Sequence, residues 1–137
     1  MSLADEVVKG FPVQVGVLML WREARGEPYA VKVGVANVLR NRMADPRWPK
    51  EMDQVVMQPL QFSSFNTADW NATKFPRRQN KAEWEAFLEC ARALEESGEK
   101  DLVGGANHYH DTSIPTPGWA HMMQETARLG KIVFYKG

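Results

Sequence analysis

Val13-Gln14-Val15-Gly16-Val17-Leu18-Met19-Leu20-Trp21-Arg22-Glu23-Ala24-Arg25-Gly26-Glu27-Pro28 is the stretch whose reading decides the fold. Val13, Val15, Val17, Leu18, Met19, Leu20 and Trp21 form a run too apolar for a helix with a wet face, so the segment reads as a buried helix. Pro12 suits an early helical position and Gly26 the residue beyond the end, which puts the terminus near Arg25. Glu23 then stands in the last turn. There the negative end of the helix dipole and the poor hydration beside Leu20 and Trp21 both favour the protonated carboxyl, the form a general acid needs. The competing reading places Glu23 on the wet side, paired with Arg22 or Arg25.

Working outward, Pro28 disfavours helical geometry at Glu27, so the chain turns before a second helix that starts at Pro28. That helix carries Val31, Val35 and Val38 on one stripe, widened by Val33 and Leu39, and closes at Asn41-Arg42. The turn would leave Glu23 at the mouth of a groove. Glu27 either complements the second helix's N-terminus or orients the site or substrate. Pro46, Trp48 and Pro49 mark an irregular passage into a short helical turn from Asp53 to Met57. Gln61-Phe62-Ser63-Ser64-Phe65-Asn66, with Trp70 and Asn71, then mixes aromatic faces with amides and hydroxyls. This is chemistry suited to holding a sugar, although ordinary surface loops share it. Asn80 and Glu83 match a capping box, and Trp84, Phe87, Leu88, Ala91 and Leu94 recur at helical spacing until Ser97-Gly98.

The last third changes character. Gly104-Gly105 is a permissive turn, Asn107 to His110 reads as a strand, and Thr126 to Leu129 with Ile132 to Tyr135 flank Gly130-Lys131 as a hairpin. A small antiparallel sheet beside a helical core is expected, so the class is α+β. A helix over Trp119 to Leu129, with Met122, Met123 and Thr126 in register, competes with the hairpin.

With 137 residues, 44% hydrophobic and 25% charged, the chain is expected to form one domain, 1–137, around one core. Its 17 basic and 17 acidic side chains cancel, which argues against a nucleic-acid binder relying on a global positive field. Lys74, Arg77, Arg78 and Lys81 form a local basic patch, read either as a solvated loop or as attraction to an anionic polymer. Cys90 is the single cysteine, so no intrachain disulfide is possible. Asp5 and Glu6 precede the apolar run, no signal-peptide pattern is visible, and the run is too short to span a bilayer. A monomer synthesised in the cytosol, without stable membrane insertion, is expected; a leader removed ahead of Met1-Ser2-Leu3 stays open. His108, His110 and His121 invite a zinc hypothesis, but no third ligand has recognisable spacing and no His-Glu-x-x-His block exists. No metal or other cofactor is expected, and no Gly-x-Ser-x-Gly elbow supports a serine nucleophile.

Several fragments follow one another along the chain: Glu23-Ala24-Arg25-Gly26-Glu27, Val35-Ala36, Asn41-Arg42, Trp48-Pro49, Val55-Val56, Gln58-Pro59, Gln61-Phe62-Ser63, Gly104-Gly105-Ala106, His108-Tyr109, Pro117-Gly118-Trp119, then Gly130 with Phe134-Tyr135. In order and spacing, from about residue 15 to 136, the chain resembles the spore-cortex-lytic, SleB-type cell wall hydrolase family. One position departs. The family pattern Gly-x-His-x-Phe stands here as Gly130-Lys131-Ile132-Val133-Phe134, and isoleucine can neither donate a hydrogen bond nor carry charge.

The resemblance implies a lysozyme-like helical core with the small sheet in the C-terminal third, and cleavage of peptidoglycan between N-acetylmuramic acid and N-acetylglucosamine. Glu23 is the implied catalytic acid and base. Gln61, Ser63 and Tyr109 carry over as groove residues; beside them Glu27 is a further candidate substrate contact, and Trp119 either stacks on a sugar face or staples the Pro117-Gly118 turn to the core. Cleavage ends either as a lytic transglycosylase, through the substrate's own C6 hydroxyl, or as a hydrolytic muramidase with a second carboxylate among Glu27, Asp69 and Asp111. The resemblance favours the first. A wall enzyme without a leader further suggests phage-endolysin-like release. Two other classes stand beside this: an inactive glycan-binding module, argued from Ile132, and a metal-dependent wall peptidase or amidase using the three histidines.

Overall fold

The computed structural model describes residues 12–58 and 75–137. Helices α1 (Pro12–Ala24), α2 (Tyr29–Ala44), α3 (Met52–Val56) and α4 (Lys81–Ser97) precede strand β1 (His108–Asp111). A 3-10 turn (Gly118–Met122) then leads into β2 (Gln124–Leu129) and β3 (Ile132–Lys136). The arrangement is the expected α+β one, a helical core with a small antiparallel sheet in the C-terminal third.

Helix α1 is central because its sequence offers no wet face. Val15 and every residue from Val17 to Arg22 are buried, and the helix packs against α2, α3 and α4. Each large aliphatic taken out of water contributes about 1.5–3 kcal/mol. Helix α2 is buried beyond the expected stripe. Val31, Val33, Val35, Val38 and Leu39 are all enclosed, together with Lys32, Asn37 and Arg42, because α2 is packed by α1 and α4 and also touches the sheet. A Cβ at Gly34 would stand 2.8 Å from Leu129 Cδ1 and 2.9 Å from Phe134 Cζ, so the close approach of β2 and β3 depends on the missing side chain.

In α4 the cap is half of the expected box. Asn80 Oδ1 accepts from the Glu83 backbone N–H at 3.2 Å, but the Glu83 carboxylate turns to Arg77, accepting from its backbone N–H and its Nε. The buried stripe is Phe87, Cys90, Leu94 and Ser97, with Ala93 beside it, and Trp84 stacks on Phe87. Leu88, expected in the core, is 42% exposed because it flanks that stripe.

The sheet runs β1-β3-β2, antiparallel throughout. Gly130 sits at φ +55 in the turn between β2 and β3, a conformation that favours glycine. The competing helix over Trp119 to Leu129 does not form. Residues 124–129 pair with β3 instead, and Met122, which that helix would have placed on its apolar side, is 90% exposed. Strand β3 is buried from Ile132 to Tyr135. Alternation sends Ile132 and Phe134 into the helical core, while Val133 and Tyr135 join Ala120, Trp119 and Met123 on the other face. Among the described residues no helix is long and apolar enough to cross a membrane.

Candidate active site

Glu23 occupies the last turn of α1, half-buried, with Trp21, Arg22 and Ala24 enclosed around it. Arg25 finishes the helix by donating from one guanidinium nitrogen to the carbonyls of Trp21 and Arg22 at 3.1 Å, its cation lying over the Trp21 ring. The Tyr109 hydroxyl donates to Glu23 Oε1 at 2.9 Å. Burial, then the negative charge and hydrogen bond of Glu23, push the Tyr109 phenol well above its ordinary range, so it stays a donor at neutral pH.

The placement of Tyr109 follows from motifs far from it. Asn41 Nδ2 donates to the Ala106 carbonyl at 2.9 Å and Arg42 Nε to the Asn107 carbonyl at 2.7 Å, so the Asn-Arg pair at the end of α2 grips the chain as it enters β1. Phe134, opposite Tyr109 in the register, supports its ring from the neighbouring strand with centroids 6.1 Å apart. Asp111 lies on the same face of the sheet as Tyr109, two residues along.

Glu27 lies in the turn between α1 and α2. Its backbone N–H bonds the Ala24 carbonyl, and its own carbonyl accepts from buried Lys32 Nζ at 3.0 Å. Lys32 in turn pairs with Glu89 of α4 at 3.2 Å, tying the turn to the helical core. The Glu27 carboxylate reaches Lys131 Nζ at 3.3 Å, and the same ammonium stands 3.5 Å from Asp111 Oδ2. Burial alone would raise the Asp111 carboxyl, but hydrogen bonding from Ser113 and the charge of Lys131 hold it below its usual range.

Trp119 stands elsewhere. It packs on His108, His110 and Tyr135, with ring centroids 5.3 to 6.0 Å apart, on the face of the sheet opposite Tyr109. His108 and His110 share that face, as strand alternation requires. Their ring nitrogens meet Asn107 Oδ1 at 2.8 Å and the Tyr135 hydroxyl at 2.8 Å. Burial, then the charges of Arg42 and Arg47, lower His108 from 6.5 to about 4. The folded state therefore resists a proton that the unfolded chain accepts, and His108 should lose stability for the protein as pH falls from 6.5 to about 4. The loss is expected to be about 1–2 kcal/mol after allowing for partial solvation. Comparing thermal melts of wild type and His108→Gln across that window checks it, since the variant should lack this component of the acid sensitivity.

Of the site residues expected from sequence, Glu23 and Tyr109 are brought into contact, and Glu27 and Asp111 are joined through Lys131. Gln61, Ser63 and Asp69 lie outside the described residues. Lys131 had no signal in the sequence, because a lysine in a hairpin turn reads as an ordinary solvated residue. Ile132 is buried on the core side of β3, where its bulk fills the contact between sheet and helices. Among the described residues no group of three or more His, Cys, Asp or Glu side chains could hold a metal ion.

A family model described as cell wall hydrolase matches residues 26–135, beginning three positions after Glu23. Spore cortex-lytic enzymes are similar over most of the chain. That of Halalkalibacterium halodurans is 32% identical over 122 residues, 89% of this chain and 34% of the relative. That of Bacillus subtilis is 30% identical over 115 residues, 84% of this chain and 34% of the relative. The chain thus spans about a third of the length of these curated relatives. Among solved structures, the catalytic domain of the germination-specific lytic transglycosylase SleB from Bacillus anthracis superposes with a TM-score of 0.72 at 25% identity, covering 91% of this chain and 93% of that one. The SleB catalytic domain of Bacillus cereus gives the same TM-score and identity, covering 91% and 89%.

Proposed function

Because the chain belongs to the cell wall hydrolase family, we propose that it cleaves the glycan strand of peptidoglycan between N-acetylmuramic acid and N-acetylglucosamine, as a lytic transglycosylase with Glu23 as its one acid and base. The observation that carries this is the 2.9 Å hydrogen bond from Tyr109 to Glu23 Oε1. It joins two motif blocks 86 residues apart at the end of a buried helix, which is how a rigid catalytic carboxylate is built.

With Tyr109 on Oε1, the proton leaves from Oε2 to the glycosidic oxygen as the bond to the muramic C1 breaks through an oxocarbenium-like transition state. The Glu23 carboxylate then takes the proton of the muramic C6 hydroxyl while O6 bonds to C1. Glu23 recovers its proton and no water is consumed. A bound hydroxyl already held near C1 competes well against water, because its positional entropy is already lost. The ion pairing of Glu27 and Asp111 with Lys131 supports this ending, since two of the three candidate second carboxylates are already engaged. Glu27 would shape the groove beside Glu23, and Gln61 and Ser63 would contact sugar. For Trp119, the position on the far face of the sheet favours a packing role over the sugar contact expected from sequence.

Mass spectrometry of digested wall tests the reading. The products should carry 1,6-anhydromuramic ends, each lighter by one water than a hydrolysed end. Reducing-end muropeptides as sole products, with oxygen-18 taken from labelled water, would make the enzyme a muramidase with a second catalytic group. The release route, including any endolysin-like delivery, belongs to this proposal as well and is read from where the protein is found in lysing cells.

A further inference from the structure

The basic stretch that leads into α4 is anchored at both ends. Phe75 packs against the helical core and carries the Arg22 guanidinium over its ring, 4.7 Å from the centroid, and Pro76 is buried. The chain is thereby seated on the last turn of α1, through the residue that precedes Glu23. Arg77 and Arg78 follow at once and are exposed, as is Lys81 at the start of α4, while Lys74 lies outside the described residues. Glu83 Oε2 accepts from the Arg77 backbone N–H at 3.1 Å and from its Nε at 3.0 Å, which leaves both terminal guanidinium nitrogens of Arg77 to donate elsewhere. The Arg77 carbonyl accepts from the Asn80 N–H at 3.1 Å, closing the turn before α4. Arg78 lies over the Trp84 ring, 5.8 Å from its centroid, and Trp84 stacks on Phe87 of the buried stripe.

The placement of these cations opposes helix stability. The N-terminus of α4 is the positive end of its dipole, where acidic side chains are favoured and basic ones are not. Arg77, Arg78 and Lys81 nevertheless gather there against Glu83 and Glu85, in a chain whose 17 basic and 17 acidic side chains otherwise balance. Hydrogen bonds from Arg77, and beyond them the charge of Arg25 on α1, hold the Glu83 carboxyl below its usual range, so this carboxylate is already engaged. Among the described residues Arg78 has no acidic partner, and Lys81 is 89% exposed with Glu85 only at 3.9 Å. Positive charge collected where the fold disfavours it, with one arginine oriented by a carboxylate and another laid on an indole, suits an acidic ligand.

In a peptidoglycan strand the N-acetylated sugars are uncharged, and the carboxylates sit on the peptide stems that hang from muramic acid. We propose that Arg77, Arg78 and Lys81 form a subsite for the carboxylates of the peptide stem, holding the strand while it is cut. The choice of ligand rests on the reading of the chain as a wall-cleaving enzyme. An extended stem gains about 3.4 Å with every residue, so it can run from a sugar near Glu23 to a patch seated on the same helical turn.

The test is binding, measured apart from cleavage by sedimenting the Glu23→Gln chain with insoluble peptidoglycan freed of phosphate polymers. Two forms are compared, native and with the carboxylates converted to amides by carbodiimide and ammonia. Adding Arg78→Gln and Lys81→Gln together should weaken binding to the native form about three- to tenfold at low salt, the worth of two exposed ion pairs. Binding to the amidated form should not change. Arg78→Lys, which keeps the charge but loses the planar fork, should fall between. At about 1 M salt, where screening acts within about 3 Å, the differences should collapse. An equal loss on both forms marks a structural effect and overturns the proposal, as does no loss on the native form. A third preparation, amidated but with its phosphate polymers kept, also overturns it if the Arg78- and Lys81-dependent binding returns, since the ligand is then polymer phosphate. Glycan release by the wild-type chain is scored separately. Charge-independent binding beside normal release overturns the subsite alone, and carboxylate-dependent binding without release overturns the cleavage reading alone.

Discussion

Glu23→Gln is expected to slow wall lysis by about 100- to 10,000-fold, the usual worth of a positioned proton donor and acceptor. The amide is nearly isosteric with the carboxyl, so the last turn of α1 keeps its packing and the Tyr109 hydroxyl can still donate to the amide oxygen. What is lost is the transferable proton. The folded state should therefore melt close to wild type while product formation nearly stops. The measurement is initial lysis rate on purified peptidoglycan beside a thermal melt. A variant that retains a third of the wild-type rate would remove Glu23 from the mechanism.

Phe134→Ala should cost the most stability, about 3–5 kcal/mol, as expected for emptying a fully enclosed aromatic site. Phe134 has no exposed surface and fills the space between the central strand and Gly34 of α2, while its ring supports Tyr109. For a chain of this size the melting temperature should fall by about 10–20 °C. Because the cavity opens directly behind Tyr109, lysis should also weaken at temperatures where the variant remains folded. A denaturant titration showing a loss under about 1 kcal/mol would mean that the sheet can collapse onto α2 and close the gap.

The helical half of the molecule was legible because burial leaves a local trace. The unbroken apolar run before Glu23, the breaks at Gly26 and Pro28, and the valines of α2 set element type and boundaries to within a residue or two. The hairpin was legible from Gly130-Lys131 between two strand-like runs. Periodicity failed where tertiary surroundings chose among similar residues. Leu88 and Cys90 are both acceptable core residues on α4, and only the helices packed against it select Cys90. Glu83 could have returned to the Asn80 backbone, but a nearby arginine offered a charged partner instead. The end of the apolar helix pointed to Glu23 and motif blocks resembling a known family pointed to Tyr109, but no local pattern reports their contact across 86 positions. Lys131 escaped altogether: an ion pair linking residues 27, 111 and 131 has no period, and each partner alone looks like a surface charge.

The strand order carries a temporal consequence. β3 comes after both β1 and β2 in the chain yet lies between them, so neither earlier strand has a partner in the sheet until residues 132–136 have been made. While the chain is being translated, α1 and α2 can already assemble, and Glu23 can reach the end of its helix. The strand bearing Tyr109, however, has nothing to pair with and Phe134 does not yet exist to support its ring. A nascent chain would therefore hold the Glu23 carboxylate without the phenol that bonds to it. The pairing of Glu23 with Tyr109 is acquired late in synthesis, when the central strand arrives and draws its two neighbours together.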